Sequence, residues 1–358
     1  MSLGVVRVAD VLRTARARAA SDVHLGGADR TALRIDGRLL ALDGPGVDDA
    51  GLREFLHAVL SAEQLARLDA RGAGDGAAMR GGDAAPYRVH AFRHGGGTRV
   101  AIRLLAEHLP ELDALGLPAA VASFADRASG LVLFTGPTGS GKTTALAALV
   151  DRVNRGSARN IVTVEDPVEY VHAPIRSLIT HCEIGRDVPD YAEALRGVLR
   201  ADPDVILIGE MRDRATMEAA LTAAETGLLV FATVHTNDAP QTVDRIVDAF
   251  PAEAHAQVRS QLAAVLAGIV ALRLVPRHDA QGRRAAAEVL TGTDAVRALV
   301  REGKTHQLRN AIVTGRASGM QTLETHLAEL VVRGEVSLAD ARAAATRPAE
   351  IRAYEAAR

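Results

Sequence analysis

The chain has 358 residues, 48% of them hydrophobic, and a formal net charge of −2. That length exceeds one ordinary domain and supplies material for real cores, so two or three domains are expected. Near-neutral charge, 3% aromatic content and no Trp argue against a nucleic-acid footprint or a base-stacking platform, and the single cysteine, Cys182, excludes an internal disulfide and a Cys-x-x-Cys zinc site.

Residues 1–20 carry Asp10 and several arginines where a secretion signal would need an apolar core. Val8, Val11, Leu12, Ala15 and Ala19 fall on one face and predict an amphipathic helix over 7–20. Ser21–Leu25 reads as a strand. Ala32–Ile35 and Arg38–Leu40 read as a hairpin about Asp36-Gly37. Residues 48–70 look helical with a break near Ser61, and the Gly-rich stretch 72–82 reads as a mobile loop. Tyr87–Phe92 and Arg99–Leu104 alternate like paired strands around Gly95–Gly97. Together these make a small α+β domain over 1–105. A linker over 106–118, with Pro110, Gly116 and Pro118, follows.

From 119 to 358 the pattern becomes alternating strands and helices, which predicts an α/β domain with a parallel sheet. Strands are expected at 131–135, 160–164, 204–209 and 229–234, with helices filling the gaps and a helical region from about 293. The longest uncharged apolar run, Leu262 to Leu272, is shorter than the roughly 20 residues needed to span a bilayer. The expectation is a soluble, cytoplasmic protein. No internal repeat of fixed period is visible.

Gly136-Pro137-Thr138-Gly139-Ser140-Gly141-Lys142-Thr143-Thr144 has the form G-x-x-x-x-G-K-[ST], the P-loop. It stands between an apolar strand, Leu131–Phe134, and a helical pattern from Ala145 to Val150, the context such a loop requires. Its glycines let successive N–H groups face one concavity, and the helix start adds a positive dipole end. Lys142 would reach the outer phosphates, and the Thr143 hydroxyl would hold Mg²⁺.

Three further strands end in polar residues. Ile161–Val164 delivers Glu165, Asp166 and, shortly after, Glu169; Glu165 stands directly at the tip. Val205–Ile208 runs into Gly209-Glu210, with Gly where the common nucleotide-hydrolysing pattern has a metal-holding Asp, leaving Glu210 to orient or deprotonate a water. Mg²⁺ would then rely on Thr143, phosphates, waters and Glu165. Leu229–Val234 ends in His235, placed to sense the γ-phosphate or to bond Glu210. In an open α/β sheet such carboxyl-terminal tips are where ligands bind.

These segments, with Arg200–Asp204, Ala223–Gly227, Asp244–Pro251, Arg301–Lys304, Gly319–Leu323, Ser21–Leu25 and Arg34–Gly37, resemble the secretion-superfamily ATPases. Within them the chain most resembles the PilT family of type IV pilus retraction ATPases, over nearly its whole length. The resemblance implies a PAS-like N-terminal domain before a RecA-like ATPase domain. It implies a homo-hexamer that binds ATP and Mg²⁺ between domains and neighbours. Such a ring would be peripheral at the inner face of the cytoplasmic membrane and act on an inner-membrane pilus platform protein in twitching motility. It assigns catalytic roles to Glu210, Glu165 and His235, and to arginines of the N-terminal domain, for which Arg88 and Arg103 fit the pattern; Arg196 and Arg200 are others. Three departures stand out: Leu228 where the family commonly has His, Arg93-His94 for Gln-Arg, and Ala298 for Asn in a stretch tied to retraction. A related motor driving pilus assembly, type II secretion or DNA uptake is the alternative.

Overall fold

A computed structural model of the chain describes residues 3–26, 31–35, 38–42, 46–78, 87–95, 97–105, 109–280 and 282–355. The chain packs as two compact units, Met1–His108 with Pro167–Val171, and Leu109–Asp166 with His172–Arg358.

The first unit contains an antiparallel sheet of six strands: β1 (Asp22–Gly26), β2 (Ala32–Ile35), β3 (Arg38–Ala41), β4 (Ala73–Ala78), β5 (Tyr87–His94) and β6 (Gly97–Leu104). Their order is β3-β2-β1-β6-β5-β4. Helices Leu3–Ala17, Asp49–Val59 and Ala62–Arg71 accompany it. The break near Ser61 is a capping box, in which Ser61 and Gln64 satisfy each other's backbone N–H groups. The expected mobile loop over 72–82 is corrected: 73–78 pairs in register with β5, from Ala73 opposite Phe92 to Ala78 opposite Tyr87. Glycines concealed the strand because they carry no alternation to read. Residues 79–82, the Asp36-Gly37 turn, Gly96 and residues 106–108 lie outside the described residues.

In the second unit the remaining strands are β7 (Gly130–Thr135), β8 (Asn160–Glu165), β9 (Leu178–Glu183), β10 (Val205–Ile208), β11 (Leu229–Val234), β12 (Leu266–Pro276) and β13 (Arg283–Thr291). They form one sheet in the order β13-β12-β7-β11-β10-β8-β9. All neighbouring pairs are parallel except β12 with β13. Strands β7, β8, β10 and β11 stand where the alternation of strands and helices placed them. Their continuous apolar sequences follow from burial on both faces: Leu131 and Leu133 face one core, Val132 and Phe134 the other. Strands β9, β12 and β13 are additions to the expected set. The apolar run Leu262–Leu272 divides between the end of helix His255–Val265 and the start of β12. Of the expected linker, Leu112 is buried in the core against helix Lys142–Gly156.

A buried polar side chain, Asn154, helps hold the segment between β8 and β9. Asn154 is fully buried; its Nδ2 donates to Ala173 O at 2.9 Å and its Oδ1 accepts from Ile175 N at 3.0 Å. Removing it leaves both backbone groups without their partner. Asn154→Ala is expected to lower unfolding free energy by about 1–3 kcal/mol, read from denaturant melts followed by circular dichroism.

Candidate functional site

The register of the parallel strands sets the site. Val164 pairs with Ile208, Ile208 with Ala232, and Val234 with Thr135, so four strand tips end level at one sheet edge. The loop Gly136–Gly141 leaves β7 at this edge and turns into helix Lys142–Gly156. Gly136, Gly139 and Gly141 have φ of 141°, 76° and 94°, a region that favours glycine. At Gly136 a β-carbon would also fall 2.5 Å from Leu272 O. The Lys142 ammonium is buried and donates to Gly136 O at 2.7 Å and Pro137 O at 3.0 Å, folded over its own loop. Burial pulls its pKa down, and the negative charge of Glu210 works against that shift, which ties the two groups electrostatically. Ser140 Oγ is buried and has no partner among the described residues. A concave loop of glycines with an orphaned buried hydroxyl and a lysine at a helix start fits a phosphate group. Thr143, half-buried in the first helical turn, and Thr144 follow.

Glu210 lies between Arg212 and His235. Its Oε2 is 2.7 Å from an Arg212 guanidinium nitrogen, and its Oε1 is 3.2 Å from His235 Nε2. Burial alone would raise this carboxyl; the bond from Arg212 and the charge of His235 outweigh it and hold it below the usual range. Glu210 and His235 come from neighbouring strands, whose tips are latched by Thr233 Oγ1 donating to Gly209 O at 2.5 Å and Met211 N donating to Thr233 O at 2.9 Å. The glycine at 209 has a steric reason. A β-carbon there would lie 3.0 Å from the Tyr191 hydroxyl and 3.2 Å from Glu165 Cα. The Tyr191 phenol is raised by burial and by the surrounding Asp166, Glu165 and Glu210, so it remains a neutral donor among three acids.

Glu165 is buried at the end of β8, and its Oε1 is 4.0 Å from His181 Nδ1 on β9. His172 N donates to His181 Nε2 at 3.2 Å, which places the His181 hydrogen on Nδ1, toward Thr163 Oγ1 at 2.9 Å. No cluster of three or more His, Cys, Asp or Glu side chains suited to a metal ion exists among the described residues. A divalent ion at this edge would therefore take most of its ligands from phosphate and water, the habit of Mg²⁺.

The second unit thus brings together the loop 136–144, Glu165, Glu210 and His235. Arg88 and Arg103 lie in the first unit, where each is ion-paired: Arg88 with Glu169 at 2.6 Å and Arg103 with Asp22 at 2.9 Å. Arg196 and Arg200 are exposed on and after helix Tyr191–Val198. Arg212, Tyr191 and His181 were missed as site residues. Arg212 carried a signal, two positions beyond Glu210; the other two reach the edge only through tertiary packing.

Residues 5–355 match the profile of the family described as "Type II/IV secretion system protein". The "Type IV pilus retractation ATPase PilT" of Pseudomonas aeruginosa is 39% identical over 341 residues, covering 95% of this chain and 98% of that one. The chain belongs to the PilT family. A "Twitching motility protein" of Neisseria gonorrhoeae is 45% identical over 258 residues, 72% of this chain and 69% of that one. The solved structure described as "Crystal Structure of the Pilus Retraction Motor PilT and Bound ADP" superposes with a TM-score of 0.87 at 38% identity, covering 95% of this chain and 97% of that one. The parallel sheet with its loop 136–144 is the RecA-like P-loop fold of PilT-family proteins.

Two outcomes follow from the site's packing. Gly209→Ala crowds Tyr191 and the Glu165 backbone and is expected to cost about 1–3 kcal/mol of stability, measured by thermal unfolding. Burial, with the neighbouring His181 charge, pulls His172 down to about 4, so the native protein takes up this proton less readily than the unfolded chain. Stability is therefore full above about pH 6.5 and falls toward pH 4, by at most about 3 kcal/mol from this residue. His172→Asn should flatten that acid limb in melts followed by circular dichroism.

Proposed function

We propose that this chain is an ATPase that hydrolyses Mg-ATP and, as a ring of six copies, powers type IV pilus retraction through an inner-membrane platform protein. The observation that carries the reading is the convergence of the loop 136–144, Glu165, Glu210 and His235 on one sheet edge. The retraction assignment draws on the name and the near full-length coverage of the Pseudomonas relative. Among the described residues no helix is long and apolar enough to cross a membrane, so a ring at the inner face of the cytoplasmic membrane would be peripheral to it.

In this reading the N–H groups of Gly139 to Lys142 and the helix start hold the β- and γ-phosphates. Lys142 leaves its own carbonyls and neutralises phosphate charge. Thr143 and Glu165 would hold Mg²⁺, which would supply positive charge to the phosphate oxygens as negative charge builds on them. Glu210 accepts a hydrogen bond from the attacking water and aligns it. Its lowered pKa keeps it ionised across neutral pH, as a group that orients the water and accepts its proton must be. His235, bonded to the same carboxylate, reports its state to the chain that follows β11. Arg88 and Arg103 are the candidates for closing on the phosphates, which requires each to leave its present acidic partner.

A related motor with another cargo is the second reading, favoured by Ala298 in place of the Asn common in the family stretch tied to retraction. Loss of retraction with excess surface pili in a host lacking the gene supports the first reading; normal retraction supports the second.

Steady-state phosphate release on size-fractionated protein tests the chemistry. Activity is expected only in a large assembly. Lys142→Ala should abolish it, and Glu210→Gln should lower kcat by about 10²–10⁴-fold while nucleotide binding persists. A Glu210→Gln protein as active as the parent removes Glu210 from the role given to it.

A further inference from the structure

Alternation along β12 turns Leu272 toward the core of helix Lys142–Gly156 and turns Ala271 and Arg273 to the opposite face of the sheet. A cavity of about 60 Å³ lies on that face, lined by Asp238, Arg273, Glu288, Arg309, Glu324 and Arg347 among others. Glu288, on β13, is only 5% exposed. Its Oε1 accepts a hydrogen bond from Ala239 N at 2.9 Å. Ala239 opens helix Ala239–Asp248, whose cap, Asp238, already accepts from Gln241 N at 2.8 Å. Two carboxylates thus serve one helix start, although Asp238 alone caps it.

The tethered segment is the one that carries His235. Val234 ends β11, His235 touches Glu210, and Thr236 N donates to Oγ1 of Thr135, the last residue of β7, at 3.0 Å. Ala239, bonded to Glu288, is the next fixed point. On its far side β13 is fastened to the C-terminal helices. Ala287 N donates to His326 Nδ1 at 3.0 Å, and Arg309 joins Glu324 at 3.3 Å to Glu350 at 2.6 Å. Glu324 also accepts from Arg347 N at 2.9 Å.

We propose that Glu288 is a positioning residue for ATP hydrolysis: its carboxylate ties the start of helix Ala239–Asp248 to β13 and so fixes where His235 stands against Glu210. The proposal rests on the reading of Glu210 and His235 given above. The groups facing Glu288 are Asp238 from the helix start, Arg309 and Glu324 from the C-terminal helices, Arg273 from β12, and Arg347. Burial raises this carboxyl first and foremost; the Ala239 N–H and Arg309 lower it, Asp238 and Glu324 raise it, and it settles at about 7. The native chain thus holds this proton more tightly than the unfolded chain does. The site's stability contribution is full below about pH 4.5 and is lost as pH rises through about 7. A glutamine would accept from the same N–H without that loss, but as a neutral acceptor it makes a weaker tie than the carboxylate does. An acid that costs the fold stability at working pH, bonded where the His235 segment enters its helix, fits a part in the chemistry.

The test compares the parent with Glu288→Gln and Glu288→Ala, reading kcat and KM for ATP from pH 6 to 8.5 and hydrogen exchange at the Ala239 amide. Parent kcat should rise several-fold through about pH 7 as the charged acceptor forms. Glu288→Gln should lose that inflection with KM unchanged, while melting no lower than the parent at pH 8. Glu288→Ala should lower kcat about tenfold at unchanged KM and speed Ala239 exchange by a similar factor. A Gln variant that keeps the parent's inflection, or an Ala variant with a protected Ala239 amide, overturns the proposal. A folded parent with no ATPase activity at all instead removes the reading on which it rests.

Discussion

Parallel pairing of β8, β10, β11 and β7 is the constraint on which the site depends. Because their hydrogen-bonded registers match, four chemically different chain segments end at one height on one edge. The glycine-rich loop, a buried glutamate, a second glutamate and a histidine then meet without any loop having to reach. Parallel strands need both faces covered, so the apolar bulk goes into two cores that sandwich the sheet. The polar residues at the tips stand on rigid supports, which is what orientation of a water demands.

Polar latches refine what the cores set up. Thr233 locks the tips of β10 and β11 together, Thr135 pins Thr236, Asn154 holds the segment before β9, and Glu288 holds the start of the helix after His235. Each is a side chain bonded to backbone, with a direction that apolar packing lacks. Their individual contributions are of the order of 1 kcal/mol, small beside the cores, yet they decide angstrom-scale placement. Electrostatics act on the same groups. Arg212 and His235 keep Glu210 ionised, while burial keeps Tyr191 and His172 neutral and leaves Glu288 close to neutrality in pH.

The amino-acid order alone determined a good part of this. The P-loop was legible because a backbone that cradles phosphate needs glycine at fixed places and a lysine at a fixed offset. The strands that carry Glu165, Glu210 and His235 were legible because a doubly buried parallel strand is a short apolar run ending in polar residues. Tertiary structure decided the rest. Strand β13, rich in alanine and arginine, lies outside the strands expected from the sequence; it is a strand because β12 pairs with it. Gly209 read as a missing aspartate, and only the packing of Tyr191 and Glu165 shows that even a β-carbon is crowded there. Tyr191, His181 and Glu288 lie far along the chain from the residues they serve. Local pattern carries local backbone preference and the period of burial, but which distant side chain fills a gap or meets a buried N–H is settled only when the sheet closes around it.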